Sequence, residues 1–219
     1  MRDPKEIVER GYDTIAERYS SWRTEIEGSP AEAWLEELLP LLRDCARVLD
    51  LGCGNGEPAG RLLPPARHYT GVDISKEQLA RAEARTPGGE FIHADFTKLE
   101  FEPGFFQAVV SVYAFNHLPR AELRPLLRRI EAWLEPGGYL LASFGCSGAE
   151  GVEDDWLGVS MFFASYTEPE TLEFVREAGF SLERSEVVPI IEPEGNARFL
   201  WILARKPPSR GGGPRSSRE

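Results

Sequence analysis

Apolar positions along the chain follow two rhythms. Up to residue 45 they recur every three or four residues: Ile7, Val8 and Ile15 with the rings of Tyr12, Tyr19 and Trp22, then Trp34, Leu35, Leu38, Leu39 and Leu42. That spacing predicts one or two helices over 1–27 and another behind "SPAE", with Ser29 as N-cap, Pro30 at its first position and Glu32 completing a capping box. Pro40 predicts a kink or an early stop, because it has no N–H to donate. From residue 47 the rhythm changes. Short apolar runs at 47–51, 68–73, 90–95, 105–113 and 135–144 read as strands. Between them lie a helix opened by "SKEQ", with Ser75 as cap and a second capping box, and a helix over 120–134 that carries Leu123, Leu126, Leu127, Ile130 and Trp133. A helix over 167–180 is capped by Thr167 with Glu170 and closed by Gly179. Two final runs, "SLERSEVVP" and "ARFLWILARK", have no helix between them. Alternating strands and helices predict an α/β fold, a doubly wound and mostly parallel sheet with helices on both faces. The last two strands, lacking a crossover, are expected to pair antiparallel.

No linker interrupts residues 1–206, so a single domain is expected, with an N-terminal helical cap over 1–28. Residues 145–166 are too many for an ordinary connection. They pass from the Gly- and acid-rich "GCSGAEGVEDD" to the aromatic-rich "WLGVSMFFASY", which predicts a flexible hinge followed by a packing surface. The tail 207–219 has nothing apolar to bury and is expected to be disordered. Charge narrows the partners. The net charge of -11 opposes phosphate backbones and anionic lipid, which points to a small-molecule partner rather than nucleic acid or membrane. Cys45, Cys53 and Cys146 show neither metal-ligand spacing nor pairing, so reduced thiols, no metal and a cytoplasmic setting are expected. The N-terminus has no apolar signal-peptide core, and no run approaches the roughly 20 residues of a membrane span.

The candidate chemistry starts at "VLDLGCGNGEPAG", where an aliphatic strand gives way to glycines at 52, 54 and 56. Beyond the carboxyl end of a parallel strand, such a loop lets backbone N–H groups approach a ligand that a Cβ would keep away. Dinucleotides and S-adenosylmethionine both use loops of this kind. The dinucleotide pattern G-x-G-x-x-G/A fails from Gly52, where Glu57 is the sixth residue, and passes from Gly54, where Ala59 is. Asp73, ending the second strand, suits two ribose hydroxyls in either case. Asp95, ending the third, suits an adenine amino group.

The chain resembles the class I S-adenosylmethionine-dependent methyltransferases of small-molecule type over about residues 5–206. "VLDLGCGNG", "GVDIS", "HADF" and "LEPGGYLLAS" match that family's motifs in order, and "YDTIAERY" is similar to its N-terminal segment. The resemblance implies a seven-stranded sheet of order 3-2-1-4-5-7-6 with strand 7 antiparallel. It implies S-adenosyl-L-methionine as cofactor, S-adenosyl-L-homocysteine as product, and methyl transfer to an O, N or C nucleophile. An NAD(P)-dependent oxidoreductase and a non-catalytic S-adenosylmethionine-binding protein are the alternatives. The implied cofactor contacts are Tyr12, Tyr19, Asp50, Gly52, Cys53, Gly54, Asp73, Ile74, Asp95, Phe96, Val112 and His117. Gly56 is expected to serve helix packing instead. His117, Tyr113 and Tyr166 are the candidate bases. Trp156, Met161, Phe162 and Tyr166 are expected to wall the acceptor. The nucleobase-amine motif [ND]PP[YF] is absent, with "NHLP" in its place.

Overall fold

The computed structural model describes residues 3–62, 67–193 and 195–209. A 22-residue helix, α1 (Pro4–Glu25), comes first, and Asp3 caps it by accepting from the Lys5 amide. Next is α2 (Ala31–Leu38), and Pro40 falls in the 3-10 turn Leu39–Leu41 that ends it, as expected. The capping box at Ser29 does not form. Pro30 is the N-cap, and the Ser29 hydroxyl lies 3.0 Å from the Tyr113 hydroxyl instead.

The α/β body follows: β1 (Arg47–Leu51), α3 (Ala59–Leu62), β2 (His68–Asp73), α4 (Lys76–Arg85), β3 (Glu90–His93), β4 (Phe106–Ser111), α5 (Arg120–Trp133) and β5 (Leu134–Gly145). Ser75 caps α4 by accepting from the Gln78 amide. The return bond of that box is missing, since both amide heteroatoms of Gln78 are buried without a partner among the described residues. The insertion departs from expectation. In place of a flexible hinge it forms a two-stranded antiparallel ribbon, β6 (Glu150–Trp156) and β7 (Val159–Ala164). Then come α6 (Glu168–Glu177), with Glu170 reaching back to the Thr167 amide at 2.9 Å, and the strands β8 (Ser181–Glu192) and β9 (Gly195–Arg205). Residues 207–209 are exposed and irregular, and the rest of the predicted disordered tail, 210–219, lies outside the described residues.

The main sheet has the order β3-β2-β1-β4-β5-β9-β8. The β1–β5 ladders are parallel, while β9 runs antiparallel to both β5 and β8. With the ribbon set aside, this is the expected 3-2-1-4-5-7-6. The central strands are buried on both faces, as parallel strands covered by helices must be. One core, with Leu127, Ile130 and Trp133, lies under α5 and α6, and a second, with Trp34, Leu35 and Leu38, lies under α2. A third joins α1 to the ribbon through Val8, Ile15, Trp22, Trp156, Met161 and Phe162. This third core fixes α1 and the ribbon together over the carboxyl edge of the sheet. No described helix is long and apolar enough to cross a membrane.

Candidate cofactor and acceptor site

The loop after β1 is built by left-handed glycines: φ is 73° at Gly52, 53° at Gly54 and 84° at Gly56. Each serves a different end. A Cβ on Gly52 would stand 2.3 Å from the Ala114 Cβ, and one on Gly56 would press the Thr86 hydroxyl and Ala82 of α4. One on Gly54 would meet nothing within 4 Å, so only its backbone angle calls for glycine, and its surface faces open space. The amides of Gly52 and Cys53 share the Val72 carbonyl, at 2.8 and 3.0 Å. Asp73 then ties the loop to α4, accepting from the Gly54 amide at 2.8 Å and the Ser75 amide at 2.9 Å. Burial pushes its carboxyl above the usual range against those bonds.

A cavity of about 820 Å³ opens over this loop. Tyr12, Tyr19, Gly52, Cys53, Gly54, Asp73, Ile74, Asp95, Phe96, Val112 and His117 all line it. Asp50, the remaining cofactor expectation, is buried beneath the loop and is not among its lining residues. It accepts from the Tyr69 hydroxyl at 2.8 Å, and burial raises its carboxyl to about 7 despite that bond. Asp95 is not free either. Lys5 of α1 reaches it at 2.8 Å, and Thr97 donates to it from both amide and hydroxyl. Burial raises this carboxyl, but the Lys5 and Thr97 bonds outweigh that and hold it below the usual range. Lys5 also bonds Glu122 of α5, so one cation pins the start of α1 to the far end of the cavity.

A second cavity of about 760 Å³ adjoins the first. Tyr12, Tyr19, Arg23, Tyr113 and His117 line both and form the wall between them. His117 is held tightly. Its Nδ1 lies 2.8 Å from the Phe162 carbonyl, which can only accept, so the proton sits on Nδ1. Nε2 therefore accepts, and the Tyr12 hydroxyl donates to it at 2.8 Å. Burial lowers His117 to about 4, against the help of the Phe162 carbonyl. Burial likewise holds Tyr12 well above its ordinary value and raises Tyr113 to about 12. At neutral pH the wall thus holds a neutral imidazole whose lone pair is taken, and the protonated phenols of Tyr12 and Tyr113. Tyr113 sits at φ 56°, a rare angle for a residue with a side chain, and its amide donates to Ser143 Oγ at 2.7 Å.

The acceptor expectations divide. Trp156 lines the second cavity, packed on Tyr12, Tyr19, Trp22 and Phe163. Met161 and Phe162 line neither large cavity. Their side chains fasten the ribbon to α1, and only the Phe162 carbonyl reaches the wall, through His117. Tyr166 lines neither as well. Its hydroxyl donates to the Arg120 carbonyl at 3.0 Å and its ring lies against Phe174 and Arg120, away from the wall.

Sequence reasoning missed Arg23, Lys5, Asn116 and Gln78. Arg23 had a signal: Tyr12, Tyr19 and Arg23 fall on one face of α1 at steps of seven and four. Its guanidinium meets the Tyr19 hydroxyl at 3.4 Å and stacks 5.1 Å from the Tyr113 ring centre. Lys5 had none, since Asp95 and Glu122 lie far away along the chain, and Asn116 and Gln78 had none, since what marks them is the burial of amide atoms without a partner among the described residues.

A glycine loop, an acid at the end of β2 and another after β3, all at the carboxyl edge of a parallel sheet, define a Rossmann-like site for an adenosine-containing cofactor. Residues 48–138 match the family model described as "Methyltransferase domain". An uncharacterized methyltransferase of Mycobacterium tuberculosis is 37% identical over 111 residues, 50% of this chain and 54% of that one. A demethylmenaquinone methyltransferase of Thermotoga maritima is 30% identical over 141 residues, 63% of this chain and 61% of that one. The chain thus spans little more than half the length of these curated relatives. A Burkholderia thailandensis 1,6-didemethyltoxoflavin-N1-methyltransferase, solved with 1,6-didemethyltoxoflavin and S-adenosylhomocysteine, shares the fold at a TM-score of 0.70, covering 94% of this chain and 92% of that one at 22% identity. Residues 48–138 thus match a methyltransferase domain, and the chain as a whole shares its fold with an S-adenosylmethionine-dependent methyltransferase.

Proposed function

We propose that the chain transfers a methyl group from S-adenosylmethionine, held in the first cavity, to a nucleophilic O, N or C of a small molecule held in the second. The observation that carries this reading is the common wall: two cavities of several hundred cubic ångströms meet at Tyr12, Tyr19, Arg23, Tyr113 and His117. The residues present fit the cofactor. The Gly54 backbone faces open space, and Gln78 offers a buried amide with no partner among the described residues on the same lining.

Asp73 would take the ribose hydroxyls, Ile74 and Phe96 the faces of the adenine, and Asp95 its amino group. Arg23, which lines the same cavity as the glycine loop, would take the methionine carboxylate. Asp50 would act through Tyr69 and the strand end rather than by touching the cofactor. The sulfonium supplies an already activated methyl group. What the protein adds is alignment, and positioning of this kind contributes up to about 7–11 kcal/mol in well-oriented pairs. His117 orients the Tyr12 hydroxyl and, with its lone pair taken, is placed to shape the wall rather than to draw a proton. The relatives' names point to small-molecule acceptors too, since one names demethylmenaquinone and one 1,6-didemethyltoxoflavin. S-adenosylhomocysteine should raise the melting temperature in proportion to the logarithm of its concentration, and NAD should leave it unchanged. Stabilisation by NAD alone would favour the oxidoreductase reading.

A further inference from the structure

The second cavity has a chemistry of its own. Rings line it from both sides: Tyr19, Trp22, Trp156 and Phe163 from α1 and the ribbon, Tyr113 from the segment after β4 and Phe199 from β9. Tyr19 and Trp22 stack at 25° between planes, and Tyr113 meets Phe199 edge-on at 4.7 Å. Aromatic faces select a ligand by shape and apolar area, and stacked or edge-on partners suit a flat ring; the same lining also carries Arg23, Glu150, Glu153, Glu192 and Arg198.

One buried polar atom of this lining has no partner among the described residues. Asn116 lines the second cavity from the 3-10 turn Phe115–His117, directly after β4. Its Nδ2 lies 3.3 Å from His117 Nε2. Since the imidazole proton is on Nδ1, Nε2 is an acceptor, and only the amide nitrogen is tolerated beside it. The amide orientation is thereby fixed, and Oδ1 is left buried with no partner among the described residues. A buried acceptor in that state costs about 1–3 kcal/mol until a donor reaches it. The neighbouring wall hydroxyl is already used, because Tyr12 donates to His117.

We infer that the second cavity takes a flat aromatic methyl acceptor that presents a hydroxyl or amino hydrogen to Asn116 Oδ1. This rests on the reading of the two cavities given above. The Asn116 bond orients the ring against the wall, so that its nucleophilic atom faces the first cavity. A lone pair on that atom forms the new bond to the methyl carbon, the C–S bonding pair returns to sulfur, and the displaced proton passes to water in the cavity. An acceptor without a donor would leave Oδ1 unsatisfied, and an aliphatic one would lose the ring contacts.

Three bicyclic probes test this by calorimetry on the full chain: 2-naphthol, naphthalene and decahydro-2-naphthol. S-adenosylhomocysteine binding is measured first, and its absence would refute the cofactor reading and with it this one. On the protein saturated with S-adenosylhomocysteine, 2-naphthol is expected to bind at least tenfold more tightly than either of the others. Asn116→Leu is expected to erase the preference over naphthalene while leaving S-adenosylhomocysteine affinity within twofold, which also shows that the variant folds. Equal binding of naphthol and naphthalene, equal binding of naphthol and its saturated analogue, or no binding of 2-naphthol would each overturn the acceptor class while leaving the cofactor reading intact.

Discussion

Single residues carry the site through what burial does to them. Asp73 is buried, yet it still presents a carboxylate to the first cavity while bonding two amides. Asp73→Ala is expected to weaken S-adenosylhomocysteine binding by about 1–3 kcal/mol, read by calorimetry, with Asp73→Asn in between. Unchanged affinity would remove Asp73 from the ribose. Asp50 and His117 make opposite contributions to stability against pH. Asp50 holds its proton up to about 7 when folded against 3.8 as the ordinary value, so the folded state binds more protons over that interval and stability falls as pH rises through it. His117, lowered to about 4 from 6.5, gives the reverse: the unfolded state binds more protons, and stability rises from pH 4 to 6.5. The two slopes largely cancel in the wild type. Asp50→Asn removes the falling one, so the stability of that variant relative to the wild type is expected to climb by about 2–4 kcal/mol between pH 4 and 7 in urea titrations. A difference that stays flat with pH would show that Asp50 is ionised in the folded protein.

Among the elements, the strands and the glycine loop were legible because their demands are local. Left-handed angles at Gly52, Gly54 and Gly56 and continuous apolar runs in β1 and β4 show directly in the sequence. The ribbon did not. In β6 every residue but Trp156 is exposed, so "EGVEDDW" shows no alternation, and its pairing with β7 rests on backbone bonds and on one buried face of β7. The Ser29 capping box failed for a related reason: the hydroxyl found a partner, Tyr113, that is 84 residues away. Within the core that joins them, the ribbon and α1 press together at Gly11. A Cβ added at Gly11 would stand 2.6 Å from the Met161 methyl carbon, at the tip of a flexible side chain that is fully buried. Gly11→Leu is expected to destabilise by about 1–3 kcal/mol through overpacking. Met161→Ala alone is also expected to destabilise, by about 2–5 kcal/mol. The double variant is expected to be more stable than the two losses added together, since the leucine fills the space the methionine leaves. Additive losses would show that α1 and the ribbon do not pack against each other there.

At the scale of the whole molecule, sheet order and cofactor edge followed from the alternation of elements, but the wall between the cavities did not. It gathers Tyr12, Tyr19 and Arg23 from α1, Tyr113 and His117 from the segment after β4, and the Phe162 carbonyl from the ribbon. No spacing rule links residues so far apart; only the closure of α1 and the ribbon over the sheet brings them together. The same closure assigns Met161 and Phe162 to packing, while Tyr166 lies against Arg120 and Phe174 of α5 and α6. Two ligands meeting across this wall is the central claim, and a crystal structure with S-adenosylhomocysteine bound tests it most directly. The predicted result has the ribose on Asp73, the adenine beside Ile74 and Phe96, the carboxylate on Arg23, and the sulfur at the Tyr12–Tyr113 wall facing the second cavity. S-adenosylhomocysteine bound in the second cavity, or with its sulfur turned away from that wall, would contradict it.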